Sequence, residues 1–227
     1  MSSFKERLKA GGPVIVMNPD HPSPSLVEFI GRLGVDAVMI DTEQGSPDVE
    51  SVENMARAAK VAGITALVRI FAPEPWVIER YLFRGVHGLV VPRLDTADQA
   101  RQVVEDVRYC FPRNHDEKIV VVQIETAAAV ADLDRFLAID GIDCFFIGSV
   151  DLSKSLGHRG DYHHPAVKSV LEDTVARIRA AGRAAGMMVK EGDVTEWRRR
   201  GVAFHYTHLN EYAELGARAF QQLLAKA

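Results

Sequence analysis

The chain has 227 residues, 47% hydrophobic and 26% charged, and carries a net charge of −4. That balance supplies a substantial core and a soluble surface, which excludes a disordered tail, a collagen-like chain and a coiled coil. Acidic and basic residues are mixed throughout, which argues against nucleic acid or an anionic membrane as partner.

Short β-branched, apolar runs recur along the chain, at 13–17, 35–41, 64–69, 86–91, 119–124, 142–147, 183–188 and 202–207. Runs that are apolar on both faces predict parallel strands covered on each side. Between them, segments 48–62, 96–110, 127–139, 165–181 and 211–225 place their apolar residues at helical spacing. Ser46-Pro47, Asp95, Thr126 and His164-Pro165 are start signals, and Gly34, Gly63, Gly85, Gly141, Gly182 and Gly201 each fall between a helix and the next strand. Eight strand–helix units of about 28 residues predict a single α/β domain over 1–227, a closed (β/α)₈ TIM barrel. The competing doubly wound sheet carries a glycine-rich loop after its first strand. Here that turn is Asn18-Pro19-Asp20-His21-Pro22-Ser23-Pro24, and the barrel is preferred.

No apolar run approaches the roughly 18 residues of a membrane span, and the opening MSSFKERLKAGG has no signal-peptide character. Cys110 and Cys144 are the only cysteines and form no CxxC pair, so they read as buried free thiols of a cytoplasmic protein. The run Arg198-Arg199-Arg200 reads as a solvated helix face, Trp76 and Trp197 as helix packing, and His163-His164 as loop residues.

Barrel chemistry gathers at the carboxyl ends of the strands. Those ends carry Asp41 to Ser46, Arg69, Arg93, Gln123 with Glu125, Gly148 to Asp151, and His205, Thr207 and His208. Gln123 and Glu125 are two apart on one strand and point the same way. An inward glutamate in so apolar a strand needs a compensating cation or donor. Asp151, beyond the neighbouring strand, is within reach of the same cation, and two carboxylates with open positions suit Mg²⁺ or Mn²⁺, and also Co²⁺, better than zinc. Alternatively, Glu125 pairs with Arg69 or another arginine and Asp151 caps the following turn. Arg69 at the mouth would stabilise an oxyanion or a substrate carboxylate, or else form an ion pair with Asp41 or Glu43.

The segments IDTEQGS, LVRI, VVPRLDTADQAR, VVQIET and FFIGSVDLSKSLG, in this order and separation, resemble the HpcH/HpaI aldolases from about Gly11 to the final helix. These are class II pyruvate aldolases on a phosphoenolpyruvate/pyruvate-type barrel, such as those acting on 4-hydroxy-2-oxoheptanedioate and 2-dehydro-3-deoxyglucarate. The resemblance implies Glu125 and Asp151 as metal ligands, Gln123 with Ser149, Val150 and Asp151 against the pyruvate, and Arg69 at the keto oxygen. It also implies a homohexamer, a trimer of dimers, with the terminal helix exchanged between neighbours.

Three departures follow from it. The family's base histidine falls at Gln44, which cannot exchange a proton near neutral pH. The aspartate supporting that histidine falls at about Phe83, and the segment before the fifth strand, 109–118, is short. Candidate replacements for the base are His21, His208 and Glu43, with Glu43 or Asp41 holding a metal-bound water and Gln44 donating a hydrogen bond. The expected function is a divalent-metal-dependent aldolase that cleaves or forms a 4-hydroxy-2-oxo acid from a pyruvate-class donor and an aldehyde. Oxaloacetate-type decarboxylation on the same site, or a degenerate barrel that only binds a small oxo acid, are the alternatives.

Overall fold

Strands that are apolar on both faces must be covered on both, and the computed structural model, which describes residues 3–226, shows how. β1 (Val14–Asn18), β2 (Ala37–Asp41), β3 (Thr65–Arg69), β4 (Gly88–Val91), β5 (Ile119–Ile124), β6 (Cys144–Ile147), β7 (Ala185–Met188) and β8 (Val202–His208) run parallel. They close into a barrel in chain order, with β8 paired to β1. Closure rules out the open doubly wound sheet. Around the strands lie α1 (Phe4–Lys9), α2 (Pro24–Gly31), α3 (Val49–Ala62), α4 (Pro75–Leu82), α5 (Ala97–Cys110), α6 (Ala127–Ala131), α7 (Leu133–Leu137), α8 (Ser149–Ser155), α9 (Pro165–Ala180), α10 (Val194–Arg200) and α11 (Leu209–Leu224). Among the described residues no helix is long and apolar enough to cross a membrane.

Strand periodicity divides the core in two. Val14, Val16, Ala37, Met39, Leu67, Val90, Ile119, Val121, Phe146, Phe204 and Tyr206 fill the barrel interior. Their neighbours Val38, Ile40, Val68, Leu89, Val120, Val122 and Ile124 face the helices. The lower end is closed by α1, whose Phe4 and Leu8 belong to the interior cluster, with the Phe4 ring edge-on to Phe204 at 6.2 Å. This helix has no counterpart among the sequence expectations. A reciprocal Ser3–Glu6 capping box explains how so short a segment holds its shape.

Three further expectations need correction. Segment 127–139 is two helices, because the backbone leaves helical geometry at Asp132, whose carboxylate accepts the Ala97 N–H at the start of α5 at 2.8 Å. Trp76 does not pack: on the first turn of α4 it is 68% exposed, whereas Trp197 is buried on α10 as expected. Cys110, at the end of α5, is only half-buried, while Cys144 lies in the barrel wall. The Arg198-Arg199-Arg200 run is solvent-exposed, as read.

Candidate active site

The interior parity of each strand decides which side chains reach the upper mouth. On β5 the inward series Ile119, Val121 continues to Gln123 and then Glu125. On β2 and β3 it ends at Asp41 and Arg69, which face each other in the β2–β3 register. On β8 it runs Phe204, Tyr206, His208, so His205 and Thr207 face outward, correcting their placement at the mouth. Both instead line a pocket on the barrel's outer wall beside Tyr212 and Leu215 of α11.

Arg69 and Asp41 make a paired contact, Nε to Oδ1 at 2.9 Å and Nη2 to Oδ2 at 2.6 Å, and Arg69 Nε also lies 3.4 Å from Glu43 Oε2. The ion-pair alternative for Arg69 is therefore present, and it coexists with exposure of the guanidinium to the mouth cavity. Burial works to raise the Asp41 pKa, but the hydrogen bonds and charge of Arg69, with the N–H groups of Gln44 and Glu43, hold it below the usual carboxylate value. Burial likewise opposes the Arg69 charge, and Asp41 and Glu43 more than restore it, so its pKa is raised. Glu43 is in turn engaged by Arg93, Nε to Oε1 at 3.0 Å.

Glu125 stands differently. It is 6% exposed, and no arginine or lysine pairs with it among the described residues. Its Oε1 accepts the backbone N–H of Arg93 at 2.6 Å, and its Oε2 accepts Gln123 Nε2 at 3.0 Å. Arg93 makes that donation from a left-handed backbone conformation, φ 60°, unusual for a non-glycine residue. Burial pushes the Glu125 pKa up to about 7; the Arg93 N–H and, more weakly, the charge of Arg69 oppose the shift, and the charges of Glu43 and Asp151 add to it. The arginine-neutralised alternative for Glu125 is thus not what the structure shows. Beneath it, Gln123 is 2% exposed and its Oε1 has no hydrogen-bond partner.

Asp151 sits in the first turn of α8 and pairs with Lys154, Oδ1 to Nζ at 2.9 Å, rather than capping the following turn. Its side chain is 44% exposed, far more open than Glu125. Among the described residues no three His, Cys, Asp or Glu side chains are grouped to hold a metal ion by themselves. Glu125 and Asp151 nevertheless line one cavity of about 300 Å³ with Glu43 and Gln44. An adjoining cavity of about 200 Å³ brings together Asp151, Gln44, Arg69, Gln123, Ser149 and Val150. Gly148 makes the approach of β6 to β5 possible: a Cβ there would lie 2.7 Å from Glu125 Cβ and 2.9 Å from Glu125 Oε2.

The HpcH/HpaI aldolase/citrate lyase family model matches residues 18–207. The chain belongs to that family. It is 32% identical to a hydroxypyruvate/pyruvate aldolase of Agrobacterium fabrum, over 94% of this chain and 84% of the relative. To a 2-keto-3-deoxy-L-rhamnonate aldolase of Escherichia coli it is 31% identical, over 85% of this chain and 81% of the relative. Among solved structures, an HpcH/HpaI aldolase/citrate lyase family protein of Burkholderia cenocepacia superposes with a TM-score of 0.88 at 27% identity, covering 98% of both chains. As a member of the HpcH/HpaI family the protein is a carbon–carbon lyase of the aldolase type.

The residues singled out from the sequence separate accordingly. Arg69, Glu43, Gln44, Gln123, Glu125, Ser149, Val150 and Asp151 all reach the mouth cavities. Phe83 does not: it ends α4, half-exposed, and stacks on Phe111 at 5.3 Å, so one chain does not bring it to Gln44. His163 is in a loop, and His164 caps α9 by accepting the Ala166 N–H. Three contributors had no role in the sequence reading. They are the Arg93 backbone N–H, the small Gly148, and Asp20, whose carboxylate reaches His208. A glycine directly after a strand was the visible hint for the second; the other two depend on backbone placement that pattern does not reveal.

Proposed function

We propose that the mouth is a divalent-cation site, held by Glu125 and Asp151, at which a 4-hydroxy-2-oxo acid is cleaved to pyruvate and an aldehyde, or formed from them. The observation that carries this is Glu125: a buried carboxylate with no ion-pair partner among the described residues, opening onto a cavity shared with a second carboxylate. Leaving such a group unpaired is costly unless a positive charge joins it. The donor set is all oxygen and leaves positions free, which fits Mg²⁺ or Mn²⁺.

When bound, such an ion supplies Lewis-acid polarisation of the 2-oxo group. The rest is the work of the chain. Gln123, whose Nε2 holds Glu125 Oε2, orients the substrate together with Ser149, Val150 and Asp151. Arg69, kept charged and held in place by Asp41 and Glu43, offers a fixed positive group to the oxygen on which charge develops. Gln44, common to both cavities, donates a hydrogen bond without moving a proton.

In this reading residues 1–227 make one catalytic domain of a cytoplasmic homo-oligomer, a hexamer built as a trimer of dimers. Support for assembly comes from α11, which has no buried residue in the single chain and leaves Phe220, Leu223 and Leu224 about two-thirds exposed. The test is calorimetric titration with Mn²⁺ and then pyruvate, alongside proton exchange at the pyruvate methyl group. Glu125→Ala is expected to abolish both the Mn²⁺ heat and the exchange. Unchanged exchange in that variant would refute the site.

A further inference from the structure

With Gln44 where a proton carrier is expected, the mouth still needs a group that takes up and returns a proton. We infer that His208, oriented by Asp20, is that group, an inference that rests on the aldolase reading above.

Partner by partner, the other candidates are occupied. Asp41 and Glu43 are bound to Arg69 and Arg93, and Glu125 and Asp151 are assigned to the cation. The Tyr206 hydroxyl is buried, which raises its pKa, and it accepts Asn18 Nδ2 at 2.9 Å. Among the described residues, His21 and His208 are the histidines that line these mouth cavities. His21 is exposed, belongs to the outer lobe, and has no side-chain hydrogen bond among the described residues.

His208 lines the same 200 Å³ cavity as Arg69, Gln123 and Asp151. Its Nδ1 lies 2.6 Å from Asp20 Oδ1. The second Asp20 oxygen accepts the Asn210 backbone N–H at 2.9 Å, while the Asp20 N–H donates to Asn18 Oδ1 at 2.9 Å. The carboxylate is therefore engaged at both oxygens, by His208 and by the Asn210 N–H, while Asn18 fixes its backbone. It is 12% exposed against 32% for the imidazole, so the anchored member is inside and the exchanging member is open. Barrel closure produces the pair: Asn18 and His208 are direct register partners across β1 and β8. An Nδ1–H donated to a fixed carboxylate leaves Nε2 as the free, basic nitrogen, which is the arrangement a general base requires.

In cleavage, Nε2 takes the proton of the substrate's C4 hydroxyl. The O–H electron pair becomes the carbonyl of the departing aldehyde, the C3–C4 bond breaks, and its electrons pass to the pyruvate enolate. The imidazolium then returns the proton to C3, so the cycle needs no other reactant. Around the ring stand Asp20 at Nδ1 and the Tyr206 ring at 5.0 Å, with the Arg69–Asp41 pair and the Asp151–Lys154 pair across the cavity.

The experiment uses the full chain with Mn²⁺ and follows cleavage of a 4-hydroxy-2-oxo acid beside decarboxylation of oxaloacetate, which needs the cation but no base at a hydroxyl. His208→Asn is expected to lose about 10²–10⁴-fold in cleavage, to lose the acidic limb of the kcat/KM pH profile, and to keep CO₂ release from oxaloacetate, which precedes protonation at C3, within a few-fold. Asp20→Asn, which preserves the hydrogen bond to Asn210, is expected to lower cleavage kcat with KM little changed. Cleavage and a pH profile unaltered in His208→Asn would overturn the inference. So would equal loss of both activities, which would make His208 a structural residue. Absence of both activities in the unmodified enzyme would instead refute the underlying aldolase reading.

Discussion

Replacing Glu125 by glutamine should make the metal-free protein more stable, and only above mildly acidic pH. The carboxyl has a pKa of about 7 in the folded chain against an ordinary value of 4.5. A raised folded-state pKa means that the native protein holds a proton which the unfolded chain releases. The group's contribution is fully favourable below pH 4.5, declines as pH rises toward 7, and is a constant penalty beyond it. At about 1.4 kcal/mol per pH unit the full effect is about 3 kcal/mol. Glutamine is neutral and near-isosteric. Its oxygen can accept the Arg93 N–H, and a flip of the Gln123 amide would present the now unpartnered Oε1 to the new NH₂ group. Urea unfolding in the presence of a chelator is the assay, at pH 5 and pH 8. The variant should gain up to about 3 kcal/mol over the unmodified protein at pH 8 and much less at pH 5. Added Mn²⁺ should then stabilise the unmodified protein, by about 2.7 kcal/mol at a hundred times the Kd, and not the variant. A glutamine variant destabilised equally at both pH values would show that Glu125 is not an uncompensated buried charge and has no need of a cation.

Asp41→Asn should behave in the opposite sense. It removes the charge that holds Arg69, costing about 3 kcal/mol near neutral pH. Because the Asp41 pKa is lowered in the folded state, its stabilisation is present above its ordinary 3.8 and is lost as pH falls through the folded value, so the variant should show a shallower acid-unfolding curve than the parent. Gly148→Ala tests space rather than charge, since the glycine backbone, φ −79°, is accessible to alanine. A methyl 2.7 Å from Glu125 Cβ must displace that side chain. Thermal melts should record a loss of about 1–3 kcal/mol, and calorimetry a weaker Mn²⁺ affinity; unchanged affinity would show that Glu125 is free to move.

The strand–helix alternation, the interior face of β5 and the placement of Arg69, Gln123 and Glu125 at the mouth were legible in the sequence, because side-chain direction along a strand follows a strict period of two. The same rule applied to β8 excludes His205 and Thr207, whose polarity drew attention to the strand end although Phe204, Tyr206 and His208 hold the inward register. Other features have no local signature. Asp132 interrupts an apparently continuous helix because of a contact with Ala97 on another element. Arg93 turns its N–H onto Glu125 through an uncommon backbone angle.

Pattern along the chain therefore determined the elements, their order and the faces they bury, since these depend on residues three or four apart, or two apart, competing for the same local space. Closure of the barrel decided the rest: that Asp41 lies beside Arg69, that Glu125 has no ion-pair partner among the described residues, and that Asp20 meets His208 across 188 positions of sequence. Which charges share a low-dielectric mouth is a property of distance in space, and that distance exists only once β8 has found β1.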